Sequence, residues 1–202
     1  MDKKKIIIVV AVVVLLIVAV LVGFIIHKVS ILNDLTSKGL KTRALGNYHM
    51  RVDQELENGT DTEVWAKDNE HFLVKMGKNS KVTMYRNGEE KLTVYELYGQ
   101  KSVNKNSASL IEMNTFTTYM ATKPTLNEVL KTSIRSVQFE NKDCYEITLE
   151  NNTTVWVEKE TALVIKAQTS EGIAKFTYEI GTVTDADIQK PDLTGYTEIN
   201  EQ

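Results

Sequence analysis

The sequence predicts an α+β chain: a single N-terminal transmembrane helix, then a curved antiparallel β half-barrel of about 11 strands with helices packed on its concave face. Three observations predict it. Ile6–Ile26 is an apolar run without a charge. From Tyr48 onward, apolar residues recur at every second position in short segments separated by Asn, Asp and Gly. One stretch, Ser107–Ser133, breaks that rhythm with two helix-start signals. So many short strands with one apolar face must curl or close. That face needs cover, and the few helical residues available suit a half-barrel with helices in its open side.

Residues 1–5 read as a cytoplasmic tail and 6–27 as the anchor. A helix rises about 1.5 Å per residue, so the run suffices for a hydrocarbon core of roughly 30 Å. Val and Ile form helices poorly in water, but in lipid a helix pairs every backbone amide. Lys3, Lys4 and Lys5 before the run outweigh His27 and Lys28 after it. The positive-inside bias then puts the N-terminus in the cytoplasm and residues 28–202 outside, as a single-pass protein of the cell membrane. The run exceeds the roughly 7–15 apolar residues of a signal peptide, and no A-x-A-like cleavage site follows. The expectation is an uncleaved signal anchor. The single cysteine, Cys144, lies far from the run, so no lipid-attachment cysteine follows it.

Residues 28–47 predict a juxtamembrane helix, with Ile31, Leu32, Leu35, Leu40 and Leu45 near helical spacing and Gly46 as its stop. Residues 48–196 form the half-barrel, and 197–202 a tail. The first meander runs through strands at Tyr48–Glu57, Thr60–Lys67, Glu70–Met76, Lys81–Arg86, Lys91–Tyr98 and Lys101–Asn104, with Asn58–Gly59 as a hairpin signal. Ser109–Glu112 and Thr125–Glu128 fit capping boxes, predicting helices at about 109–121 and 126–132. The second meander follows at Ile134–Glu140, Cys144–Glu150, Thr153–Lys159, Ala162–Ser170 and Ile173–Gly181. Asp185–Lys190 predicts a helical turn, and Leu193 and Tyr196 are the expected anchors of the C-terminal segment.

The formal net charge is −3, and with three lysines and one aspartate in the first five residues the remainder holds about −5. That argues against nucleic acid as a partner. One cysteine excludes an internal disulfide framework. His27, His49 and His71 have no ligand spacing, and no metal or other cofactor is expected. Asp53, Glu55 and Glu57 line one side of a strand, opposite Met50 and Val52, and read as a solvated face. Thr184–Asp187 lacks the glycine and distal Glu of a calcium loop. No nucleophile elbow, phosphate loop or H-E-x-x-H occurs, so the chain is not expected to be an enzyme. Asn58–Thr60, Asn151–Thr153 and Asn152–Thr154 match the glycosylation triplet but read as turn residues. Trp65 and Trp156 fall opposite the apolar series, either against a neighbouring side chain or as part of a surface for a protein partner.

The segments T-V-W-V-E-K-E-T-A-L-V-I-K (Thr154–Lys166), F-T-Y-E-I (Phe176–Ile180) and D-A-D-I-Q-K-P-D-L-T-G-Y (Asp185–Tyr196) follow the N-Y-H-M-R-V start of the first meander. In this order they resemble the periplasmic lipoprotein-sorting carrier family (LolA/LolB-like), with its lipid-carrying lipoproteins and anti-sigma regulator sensor domains. The resemblance covers residues 30–196. It implies a half-barrel with a helical lid around an apolar cavity that binds acyl chains without catalysis. A transmembrane anchor departs from the family's cleaved signal or lipidated cysteine.

The expected function is a membrane-anchored extracytoplasmic binding module for a lipid or the acyl chain of a lipoprotein. The alternative is an extracytoplasmic protein-interaction or sensor domain with a filled core. The expected inward-facing residues are Val52, Val64, Phe72, Val74, Val155, Val157, Ile165, Phe176 and Tyr178. A ligand is expected between the sheet and the 109–132 helices. Met50, Met76 and Met84 on the strands and Met113, Phe116 and Met120 on the helices would complete its lining, methionine suiting chains of varied length.

Overall fold

The computed structural model describes the backbone of residues 3–55, 60–78, 81–106, 108 and 125–199, with side chains from Val12 onward. The helix expected at 109–121, with its capping box and Met113, Phe116 and Met120, lies outside the described residues, as does the Asn58–Gly59 hairpin.

One helix, α1 (Lys3–Ala44), runs without a break through the segments expected as anchor and juxtamembrane helix. Gly23 and Gly39 do not interrupt it, because a helix without proline loses no hydrogen bond at glycine. Its surroundings change along its length. Val12–Val18, Val20–Val22 and Phe24 are all exposed. From Ile25 the helix is one-sided: Ile25, Val29, Leu32 and Leu35, spaced three or four apart, pack into the domain core. Leu35 is completely buried. Three bonds fix the helix over the second meander. Lys28 Nζ donates to the Thr132 carbonyl (2.6 Å), Lys38 Nζ to the Lys159 carbonyl (2.8 Å) and Thr42 Oγ1 to the Thr161 carbonyl (2.7 Å).

The first meander comprises β1 (Tyr48–Glu55), β2 (Thr62–Ala66), β3 (His71–Met76), β4 (Lys81–Asn87), β5 (Glu90–Leu97) and β6 (Gln100–Asn104). After the short helix α2 (Leu126–Lys131) come β7 (Ser133–Phe139), β8 (Lys142–Thr148), β9 (Thr154–Glu158), β10 (Val164–Gln168) and β11 (Ile173–Ile180). The expected capping box holds α2: Glu128 N–H donates to Thr125 Oγ1 (3.3 Å) and Thr125 N–H to Glu128 Oε2 (2.6 Å). The hydrogen bonds from Thr125 hold the Glu128 carboxyl below the usual range.

All eleven expected strands are present, and a twelfth, β12 (Thr197–Glu198), pairs parallel to β6 where a tail was expected. The sheet order is β12-β6-β5-β4-β3-β2-β1-β11-β10-β9-β8-β7, open rather than a closed barrel. Its two meanders join where β1 pairs with β11 over the full length of both, Tyr48 opposite Ile180 to Glu55 opposite Ile173. Alternation gives the sheet two different faces. One carries the core cluster shared with α1 and α2. On the other, Leu73, Tyr85, Leu92, Val94 and Val103 are covered by residues after β11. Val183 and Ile188 are buried there beside Leu193 and Tyr196, so the segment has two more anchors than expected.

One strand departs from strict alternation. The register shifts between Val164, opposite Val157, and Lys166, opposite Trp156. Ile165 is the extra residue of this bulge. Val164 and Ala167 therefore join the core cluster on this strand, and the expected Ile165 does not.

Candidate functional site

Cross-strand register builds the helix-bearing face in rows. Tyr178 lies opposite Met50, Met50 opposite Val64, Val64 opposite Val74, and Val74 opposite Met84. Phe176, Val52, Thr62 and Met76 form the adjacent row. Directly opposed residues on antiparallel strands share a face, so each row is a continuous strip across the β1–β11 junction.

Of the described residues expected to line a ligand site, all but Ile165 fall in this one cluster. Phe72, Val64, Val74 and Val157 are fully buried, whereas Met76, Met84 and Tyr178 are half-buried. Ile165 is buried, but the bulge removes it from the cluster. Val155 closes the β9 side, opposite Ile147 and Ala167. Helix α2 contributes Val129, which is 1% exposed.

Tyr178 is the polar exception. Its ring stacks along Phe176 at 6.5 Å, with an interplanar angle of 12°. Its hydroxyl is sealed from solvent and has no hydrogen-bond partner. A buried, unpaired hydroxyl costs free energy, so such an atom calls for an explanation. Burial pushes the Tyr178 hydroxyl far above the ordinary phenol value, and the nearby Tyr48 adds to the shift. Burial also raises Tyr48, partly offset by Arg43 in the last turn of α1. Both phenols are therefore neutral at physiological pH.

Other candidate chemistry resolves into structure. Asp53 pairs with Arg51 at 2.9 Å and Glu55 with Lys175 at 3.0 Å, both at the surface. His49 lies between Glu63 (3.0 Å) and Glu179 (3.7 Å) and stacks on Trp65. Trp156 rests against Phe139 and beneath Lys166 Nζ, 4.1 Å from the ring centroid. Cys144 is buried, and that burial pushes its thiol up, away from the reactive thiolate. In the Thr184–Asp187 turn, Asp187 Oδ2 accepts from Thr184 N–H and hydroxyl at 2.8 and 2.7 Å. No group of three or more potential ligands gathers for a metal among the described residues. A cleft of about 380 Å³ around Gly77 combines Met76 and Val82 with Arg51, Glu63 and Lys75, a mixed polar lining unlike the cluster.

Neither protein-family models nor curated proteins match the chain.

Helix α1 is the one helix among the described residues long and apolar enough to cross a membrane, and it suits an anchor or a signal sequence by length and composition. Sequence periodicity located the sheet's contribution to the cluster. It missed that the α1 stripe begins at Ile25, inside the apolar run, where every residue is apolar and no face stands out. It also gave no sign that the Tyr178 hydroxyl is left without a partner, which depends on what packs above it.

Proposed function

We propose that the chain is a single-pass, membrane-anchored extracytoplasmic binding module for an apolar ligand, a lipid or the acyl chain of a lipoprotein, acting without catalysis. The observation that carries this reading is the helix-covered apolar face. It gathers the expected lining residues, keeps the flexible Met76 and Met84 only half-buried, and includes one sealed polar atom. The twist of a twelve-stranded sheet favours curling. The finer architecture proposed is a half-barrel with α1 and α2 in its hollow, of the lipoprotein-carrier kind that the sequence resembles.

The anchor reading is supported by the continuous exposed apolar surface of Val12–Val18, which has no favourable place in water. With Lys3–Lys5 inside, the sheet lies outside the cell. An anchored protein cannot shuttle between membranes. Helix α1 passes without a break from its exposed apolar part to the sheet-packed part, which supports ligand exchange directly with the adjoining leaflet.

The test uses residues 28–202, secreted without the apolar run and first shown to unfold cooperatively. Mass spectrometry is expected to find co-purifying lipid. A folded domain that carries no lipid and binds no acyl probe would refute the reading and favour a protein-interaction or sensor domain with a filled core. Protease added to intact cells is expected to remove the domain; protection until lysis would overturn the topology.

A further inference from the structure

We propose that the Tyr178 hydroxyl is the polar anchor of the apolar site, donating a hydrogen bond to the carbonyl oxygen of an acyl ester. This rests on the apolar-ligand reading and adds what that reading leaves open: the chemical class of the ligand and the point at which its head is held.

Three observations converge on this residue. Its hydroxyl is the single buried side-chain polar atom without a partner among the described residues. Its side chain belongs to the helix-bearing cluster: it shares a row with Met50, Val64, Val74 and Met84, and stacks along Phe176. It sits on β11 at the junction of the two meanders, where β1 links the covered second meander to the first.

The choice of ligand chemistry follows from what a phenol offers there. A neutral phenol donates one hydrogen, and its raised pKa keeps that hydrogen in place at any physiological pH. The complement is an acceptor without charge, because a buried anion would need a cation. Met50 across the sheet and Phe176 along the strand are apolar, and Tyr48, the phenol that acts on Tyr178, is itself neutral. An ester carbonyl joined to a hydrocarbon chain fits both halves: the chain lies along the methionine row and its carbonyl meets the hydroxyl. Membrane glycerolipids and the diacylglyceryl group of lipoproteins share this chemistry. A hydrocarbon chain without a carbonyl would leave the hydroxyl unpaired.

The experiment uses the full chain in lipid nanodiscs with matched photoactivatable probes: a diester phospholipid, its diether analogue and a diacylated lipopeptide. Crosslinks are mapped by mass spectrometry. The ester is expected to label the helix-bearing face about five- to tenfold more than the ether, the scale of one buried hydrogen bond. Tyr178→Phe, which keeps the ring, is expected to bring ester labelling down to the ether level. Whichever of the phospholipid and the lipopeptide labels more strongly identifies the source of the ester. Equal labelling by ester and ether in the parent chain would overturn the proposal, as would an ester preference that survives Tyr178→Phe. Labelling of this face by no probe would instead bring down the apolar-ligand reading itself, and the proposal with it. An unchanged or raised unfolding temperature for Tyr178→Phe shows that any loss of labelling is not a folding defect.

Discussion

Asn47 and Val183 hold each other in both directions. Asn47 Nδ2 donates to the Val183 carbonyl at 2.9 Å, and the Val183 N–H donates to Asn47 Oδ1 at 3.0 Å. The Asn47 carbonyl also accepts from Gly181 N–H at 2.9 Å. One residue thus ties the exit of α1 to the start of the segment that covers the opposite face of the sheet.

Replacing Asn47 with Ala leaves both polar groups of Val183 without their partner, at a cost of about 1–3 kcal/mol. Hydrogen exchange read by mass spectrometry is expected to speed up across residues 183–199 and to stay unchanged in β7–β10. Unchanged protection at 183–199 would mean that Ile188, Leu193 and Tyr196 hold the segment unaided.

The α1 stripe makes a contrasting pair of predictions. Leu35 is fully buried, whereas Leu40 is 51% exposed. Leu35→Ala is expected to destabilise the domain by about 2–5 kcal/mol through lost burial and a residual cavity. Leu40→Ala should stay within about 0.5 kcal/mol of the parent. Thermal unfolding of the full chain in nanodiscs, followed by the fluorescence of Trp65 and Trp156, separates the two. Similar losses from both would contradict the helix orientation.

Tyr196 supplies a pH dependence. Its hydroxyl donates to the Glu96 carboxylate, and this bond, chiefly, pushes the phenol up to about 12. The folded state holds the proton more tightly than the unfolded chain does. The bond's contribution is therefore complete below the ordinary phenol value of 10.0 and is lost as the pH rises through about 12. Because both side chains are only partly buried, the effect is modest. Exchange at 193–199 is expected to rise over that window in the parent more than in Tyr196→Phe. Parallel curves for the two proteins would sink the assignment.

The sheet was legible because its cause is local. Alternation in Phe72–Met76 or Tyr145–Leu149 sets the buried face whatever lies above it, and Thr125 with Glu128 announces α2 within four residues. The misses have non-local causes. The bulge at Ile165 arises from pairing with Trp156 and Val157 on another strand. Strand β12 exists because Val183 and Ile188 carry the chain across the first meander to β6. The continuity of α1 was hidden because residues 28–44 form a separate polar–apolar pattern while the backbone simply continues. At the site, the apolar lining could be read from periodicity. The sealed state of the Tyr178 hydroxyl could not, since it depends on packing across several elements.

In the proposed function, acyl chains occupy the helix-bearing face of the sheet. The most direct measurement places a benzophenone amino acid at Met84, on that face, and separately at Lys75, which is exposed on the opposite face. The full chain is irradiated in living cells, and its adducts are weighed by mass spectrometry. Lipid-mass adducts are expected at position 84 and none at position 75. Absence of lipid at position 84, or equal capture at both positions, would contradict this function.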